Sequence, residues 1–148
     1  MKTRTLILFT MLAGLLGATA QPGDRGTPEE AKAMAVKAAQ FLRDSGPEAA
    51  FGAFDAATGP WHDRDLYVFV ADQSEKMLAN GGNVALIGRM MTALKDVDGL
   101  AIGAAIAAVK DEGWVEYKWQ NPVTKSIEPK MAYVVRVGKF SVGVGAYK

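Results

Sequence analysis

Two spacings of apolar residues divide the chain. Ala31, Met34, Ala35, Ala38, Phe41 and Leu42 recur at intervals of three and four, which makes one face of a helix. Thr27-Pro28-Glu29-Glu30 supplies its start: a threonine N-cap, proline at the first helical position, and a glutamate completing a capping box. Gly46-Pro47 ends this helix and opens a short second one, PEAAFGAFDA, with Phe51 and Phe54 turned to the core. From Leu66 the period changes. LYVFVA, the turn DQSE and KMLA predict a hairpin over Leu66–Ala79, which Asn80-Gly81-Gly82-Asn83 interrupts. A helical segment is expected from about Val84 to Leu94, and LAIGAAIAAVKDEG predicts an alanine-rich, buried helix stopped by Gly113.

Three strands follow: Trp114–Trp119, Lys130–Val137 and Phe140–Ala146. Gly138-Lys139 is too short for a parallel crossover, so the sheet is expected to be antiparallel. Helices, a hairpin, more helices and three strands in series predict an α+β domain. In the last strand Gly143 and Gly145 share one face, and Val142 and Val144 the other. A glycine face admits close packing, and the long N-terminal helix is the expected neighbour.

Ahead of this domain, MKTR and the apolar run TLILFTMLAGLLG lead to Ala18-Thr19-Ala20. That is the pattern of a secretory signal peptide over residues 1–20, with cleavage expected between Ala20 and Gln21. The run falls short of the ~20 residues of a spanning helix, so no membrane anchor is expected after cleavage. Residues 21–148 then form one domain, expected in the periplasm or secreted, with a polar lead from Gln21 to Gly26. Losing Lys2 and Arg4 with the leader takes the formal charge from +1 to −1. A near-neutral domain without a basic run offers nucleic acid no electrostatic footprint. With no cysteine the domain carries neither a disulfide nor a lipoprotein linkage, so its core alone must hold it.

In order along the chain, DLYVFV, MLAN, KDVDG, GWVEYKWQNP, PKMAYV and VGVGAY resemble the single Cache domain of type 2, a PAS-like extracytoplasmic sensor module. The likeness runs from about Ala31 to Tyr147, and Gly113–Tyr133 is its most specific part. It implies a five-stranded antiparallel sheet, a long N-terminal helix along one side, and short helices covering a ligand pocket on the other face. It also implies a short organic acid as ligand and a signalling role, as in chemotaxis. With neither a transmembrane helix nor an output domain expected, the chain resembles a stand-alone periplasmic version that needs a membrane-bound sensor or transporter as partner. Asn80 stands where many members carry histidine.

The ligand residues expected from the pattern and the resemblance are Tyr67, Asn80, Arg89, Met90, Tyr117, Trp119, Lys130 and Tyr133. Val115, Tyr117 and Trp119 share a strand face, and a buried phenol or indole needs a polar partner, which an acid would provide. Lys130 at a strand start is either solvated or, as the resemblance implies, inside and facing an acid, because a buried ammonium requires an anion. Strict alternation separates Lys130 from Tyr133; an irregular strand start after Pro129 would let both face one pocket, with Tyr133 the one expected inside. Tyr67 is either a half-exposed strand tyrosine or another donor to the acid. Asn80 fits ordinary turn chemistry as well as donation to a ligand. Arg89 and Met90 belong to the segment expected to close over the sheet, where Arg89 would clamp a carboxylate if turned inward.

Catalytic patterns are lacking. His62 is the single histidine, too few for a transition-metal set, and Asp96-Val97-Asp98-Gly99 lacks the later ligands of a calcium loop. There is no phosphate loop, dinucleotide fingerprint or spaced nucleophile and base. A binding domain without cofactor or metal is therefore expected, not an enzyme. The other expectation is an accessory protein that docks on a membrane sensor or transporter and has no working pocket.

Overall fold

The computed structural model describes residues 25–148, so the expected leader and most of the polar lead lie outside the described residues. Helix α1 spans Pro28–Ser45 and α2 spans Pro47–Phe54. The capping box at α1 is complete: Glu30 N–H donates to Thr27 Oγ1 at 3.2 Å and Thr27 N–H to Glu30 Oε2 at 2.8 Å. A two-residue strand β1 (His62–Asp63) precedes the hairpin β2 (Leu66–Asp72) and β3 (Met77–Asn80). After the short helix α3 (Ile102–Ala107) come β4 (Glu112–Gln120), β5 (Ile127–Val137) and β6 (Phe140–Tyr147). All pairings are antiparallel, in the order β1-β2-β6-β5-β4, with β3 also on β2. The sheet thus has six strands, the five expected plus β1. Among the described residues no helix is long and apolar enough to cross a membrane.

Each face of the sheet has its own core. On one, Val68, Val70, Val135, Val142 and Val144 pack against Ala31, Ala35, Ala38 and Leu42 of α1. Small alanines let the helix lie close to the valine surface, and burying such apolar area contributes roughly 25 cal/mol per Å². On the other face, Phe69, Val115, Ala132 and Val134 meet Met91, Ile102 and Ile106.

This arrangement corrects the expectation for the glycines. The helix packs on the valine side of β6, while Gly143 and Gly145 face the second core. A Cβ at Gly143 would sit 2.2 Å from Phe69 Cζ, and one at Gly145 would sit 2.3 Å from Lys130 Cε. The glycines make room for a ring and a lysine stem rather than for a helix.

The expected helix from Val84 to Leu94 is also absent. Only a 3-10 turn forms, Val84–Leu86, and Gly88 then takes φ +83°. The following backbone runs along β3 instead: Gly88 N–H donates to Met77 O at 2.8 Å, and Met77 N–H to Arg89 O at 2.9 Å. The open edge of β3 satisfies these groups without helical bonds.

Candidate functional site

The register of three strands builds the site. Tyr117 on β4 stands opposite Lys130 on β5, which stands opposite Tyr147 on β6. Gly145, diagonal to Lys130, leaves the lysine stem a channel across the sheet toward Tyr67 on β2. Lys130 is 1% exposed. Its Nζ donates to Tyr67 Oη at 2.8 Å and to Tyr147 Oη at 3.3 Å, and lies 4.1 Å from the centre of the Tyr67 ring. Among the described residues no carboxylate forms an ion pair with it; the ion pairs present involve Arg25, Arg64, Lys118 and Lys148.

The phenols of Tyr147 and Tyr117 are neutral. Burial, and then the neighbouring Tyr67, push the Tyr147 hydroxyl far above its ordinary value, and burial does the same for Tyr117. Tyr147 spends its proton on the Gln120 carbonyl at 2.9 Å, so its oxygen accepts from Lys130. Tyr67 accepts from Lys130 and has only a 3.4 Å contact with Tyr147 for its own proton. The corner is therefore a buried cation with donors to spare and, among the described residues, no carboxylate within ion-pair distance.

Beside it lies a cavity of about 20 Å³, roughly the room one water needs. Tyr67, Phe69, Met77, Tyr117 and Trp119 wall it on the sheet side, and Met91, Ile102 and Ile106 close it from above. Asn80 joins the wall in two roles. Its Oδ1 accepts from the Gly82 and Asn83 N–H groups at 3.0 and 2.8 Å, holding the turn, while Nδ2 has only the Met77 sulfur at 3.8 Å. Asp55 accepts the Asn80 backbone N–H at 2.8 Å and ties this turn to the end of α2.

The model of the family single Cache domain 2 matches residues 8–147. The chain belongs to that family. Its members are extracytoplasmic sensor domains, and they bind ligands rather than catalyse reactions. Over 91 residues, this Cache domain is 29% identical to the methyl-accepting chemotaxis protein McpP of Pseudomonas putida. The match covers 58% of this chain but only 17% of that receptor's length. Among solved structures it resembles a methyl-accepting chemotaxis protein of Vibrio parahaemolyticus, with TM-score 0.71 and 21% identity over 80% of this chain and 86% of that one. It also resembles a Cache chemosensory domain solved for the structural basis of its carboxylic acid recognition. There the TM-score is 0.62 and the identity 23%, over 76% and 83% of the two chains.

In this Cache domain the residues expected at the site separate. Tyr67, Asn80, Tyr117 and Trp119 wall the cavity, and Lys130 lies buried behind Tyr67. Tyr133 does not join them. No bulge occurs at the start of β5, so alternation holds and Tyr133 faces α1. Its ring centre lies 4.9 Å from that of Trp114 and 4.8 Å from Nζ of Lys32 on the helix. Arg89 and Met90 also lie elsewhere. Both are exposed, and Arg89 Nε donates to Ala85 O at 3.1 Å. Because the segment runs extended along β3, Met91 rather than Met90 turns inward. Phe69, Met77, Met91, Ile102, Ile106 and Tyr147 were not expected. For Tyr147 a signal exists in the sequence: it continues the Gly143, Gly145 alternation by one more step.

Proposed function

We propose that this Cache domain reversibly binds a small monocarboxylate at the Lys130 corner and reports it to a membrane-bound receptor or transporter. One observation carries the reading: the Lys130 ammonium is buried and has no counter-ion among the described residues. Removing an ammonium from water costs several kcal/mol or so, and only an anion recovers much of that. A carboxylate would take a charge-assisted bond from Lys130, worth on the order of 1.5–3 kcal/mol, with Tyr67 and the Asn80 amide as neutral donors. Phe69, Met77, Ile102 and Ile106 would enclose its short apolar chain once the cavity, with room for about one water as it stands, widens around it. The carboxylic acid recognition of the similar Cache domain supports this assignment.

Export is part of the proposal: intact-mass measurement of the periplasmic fraction should find a chain starting at Gln21. Calorimetry with acetate, propionate, lactate and pyruvate, with acetamide as the uncharged control, tests the site. Binding of the acids but not the amide is expected. Protein freed of retained ligand by refolding that takes up none of them overturns the reading.

A docking role is the second reading, favoured by the exposed Val84, Ile87 and Met90 beside the site. Full retention of signalling by a variant that no longer binds acid would support it instead.

A further inference from the structure

We propose that Trp119 is the doorway of the buried cavity and the residue that limits how long a ligand it admits. The inner cavity of about 20 Å³ has an outer neighbour, a surface groove of about 520 Å³. Gly82, Asn83, Leu86, Gln120 and Ile127 contribute to the groove, and only Tyr67 and Trp119 line both spaces. These two side chains are the partition.

They differ in freedom. Tyr67 is 3% exposed and held on two sides. Its hydroxyl takes the Lys130 bond at 2.8 Å, and the Gly82 backbone presses on its ring so closely that a Cβ there would sit 2.5 Å from Cε1 and Cζ. Trp119 is held far less. Of the nine residues lining the cavity, eight are buried, and Trp119 alone is only partly buried, at the margin of the second core. Its indole N–H has no hydrogen-bond partner among the described residues, and its aromatic neighbour is Tyr117, edge-on at 6.4 Å. It is the penultimate residue of β4, the outermost strand, paired on one side only. A rotation of the indole into the groove would join the two spaces and leave Tyr67 in place. With the door shut, the inner space accepts only small groups; with it removed, a longer chain can extend into the groove.

The route itself is independent of what binds, whereas the length limit rests on the carboxylate reading, so the experiment separates them. The chain has no cysteine, so Met77→Cys places a single thiol on the cavity wall, and Val68→Cys places one at a buried position on the opposite face. Reaction of each thiol with methyl methanethiosulfonate is timed with Trp119 intact, with Trp119→Ala, and with the milder Trp119→Phe. Trp119→Ala should speed the Met77→Cys thiol by about tenfold or more and leave the Val68→Cys thiol unchanged, with Trp119→Phe between. Unchanged rates in both variants, or equal acceleration at both thiols, overturn the doorway. In the second arm, Trp119→Ala should shift preference from acetate toward valerate by about tenfold. An unchanged profile in a protein that binds acetate overturns the length limit. If no acid binds while the cavity thiol responds to Trp119, the carboxylate reading falls and the doorway stands.

Discussion

Gly145 lies directly under the stem of Lys130: a Cβ at that position would come within 2.3 Å of Cε and 2.9 Å of Cγ. The lysine crosses the sheet because β6 has no side chain there. Its charge reaches Tyr67 and Tyr147 only along this channel, so a backbone feature of one strand decides where the cation of another can sit.

Gly145→Ala should therefore displace Lys130. The stem is buried where the new methyl group would sit, so overpacking should cost about 1–3 kcal/mol in urea denaturation. Acid affinity should fall by about tenfold or more, since the ammonium no longer reaches Tyr67 beside the cavity. Normal affinity in this variant would detach Lys130 from the binding role.

Lys130→Met keeps the stem and deletes the charge. Without a buried unpaired ammonium the ligand-free protein should be more stable by about 1 kcal/mol, read as a raised Tm. Acetate should no longer raise that Tm, although it does so for the unaltered protein by mass action. A lowered Tm would mean that the charge is already compensated inside the protein.

Tyr133→Phe, Arg89→Ala and Met90→Ala should each leave acid affinity within about twofold of the starting value, because solvent-facing or opposite-face groups contribute little across the sheet. Calorimetry on the three variants checks this. A large loss in any of them would place that side chain at the ligand.

The acid limb of stability should trace in part to Glu128. Burial raises its carboxyl, but hydrogen bonds from Arg25, Thr124 and Asn121 and the Arg25 charge outweigh it, and the net shift is below the usual 4.5. An acid whose value falls on folding adds stability above its unfolded value and loses it as pH drops through the folded one. Stability should decline as pH falls below 4.5, and Glu128→Gln should flatten that decline. Urea midpoints between neutral pH and about pH 3 provide the measurement.

Asn121 connects the same corner. Fully buried, it donates to Asp65 Oδ2 at 3.2 Å and Glu128 Oε2 at 3.0 Å, and accepts from Val123 N–H at 2.8 Å. Asp65 in turn takes the Gly26 N–H at 2.7 Å just before α1. Asn121→Ala strands these partners and should cost about 2–3 kcal/mol in urea denaturation, against almost nothing for exposed Gln73→Ala.

The chain's local chemistry by itself determined α1 and its capping box, the β2–β3 hairpin, the three closing strands, their antiparallel sense and the likeness to a Cache domain. These features need only neighbours within a few residues: a cap three positions before its partner, an alternation of two, a turn too short to cross over. Strict alternation would point Lys130 and Tyr133 opposite ways, but Pro129 left room for an irregular strand start, and only the unbroken β4–β5 register removed it. Which of them faces the cavity was decided only by the tertiary structure, because that depends on which face of β6 the helix covers. The valines of β6 offered α1 a continuous apolar surface, and this left the glycine side to Lys130 and Phe69. Likewise Gly88 and the open edge of β3, not the apolar content of Val84–Leu94, turned Met91 inward and Arg89 outward. Sequence spacing records what one strand can present; only the pairing of distant strands selects the side on which it is used.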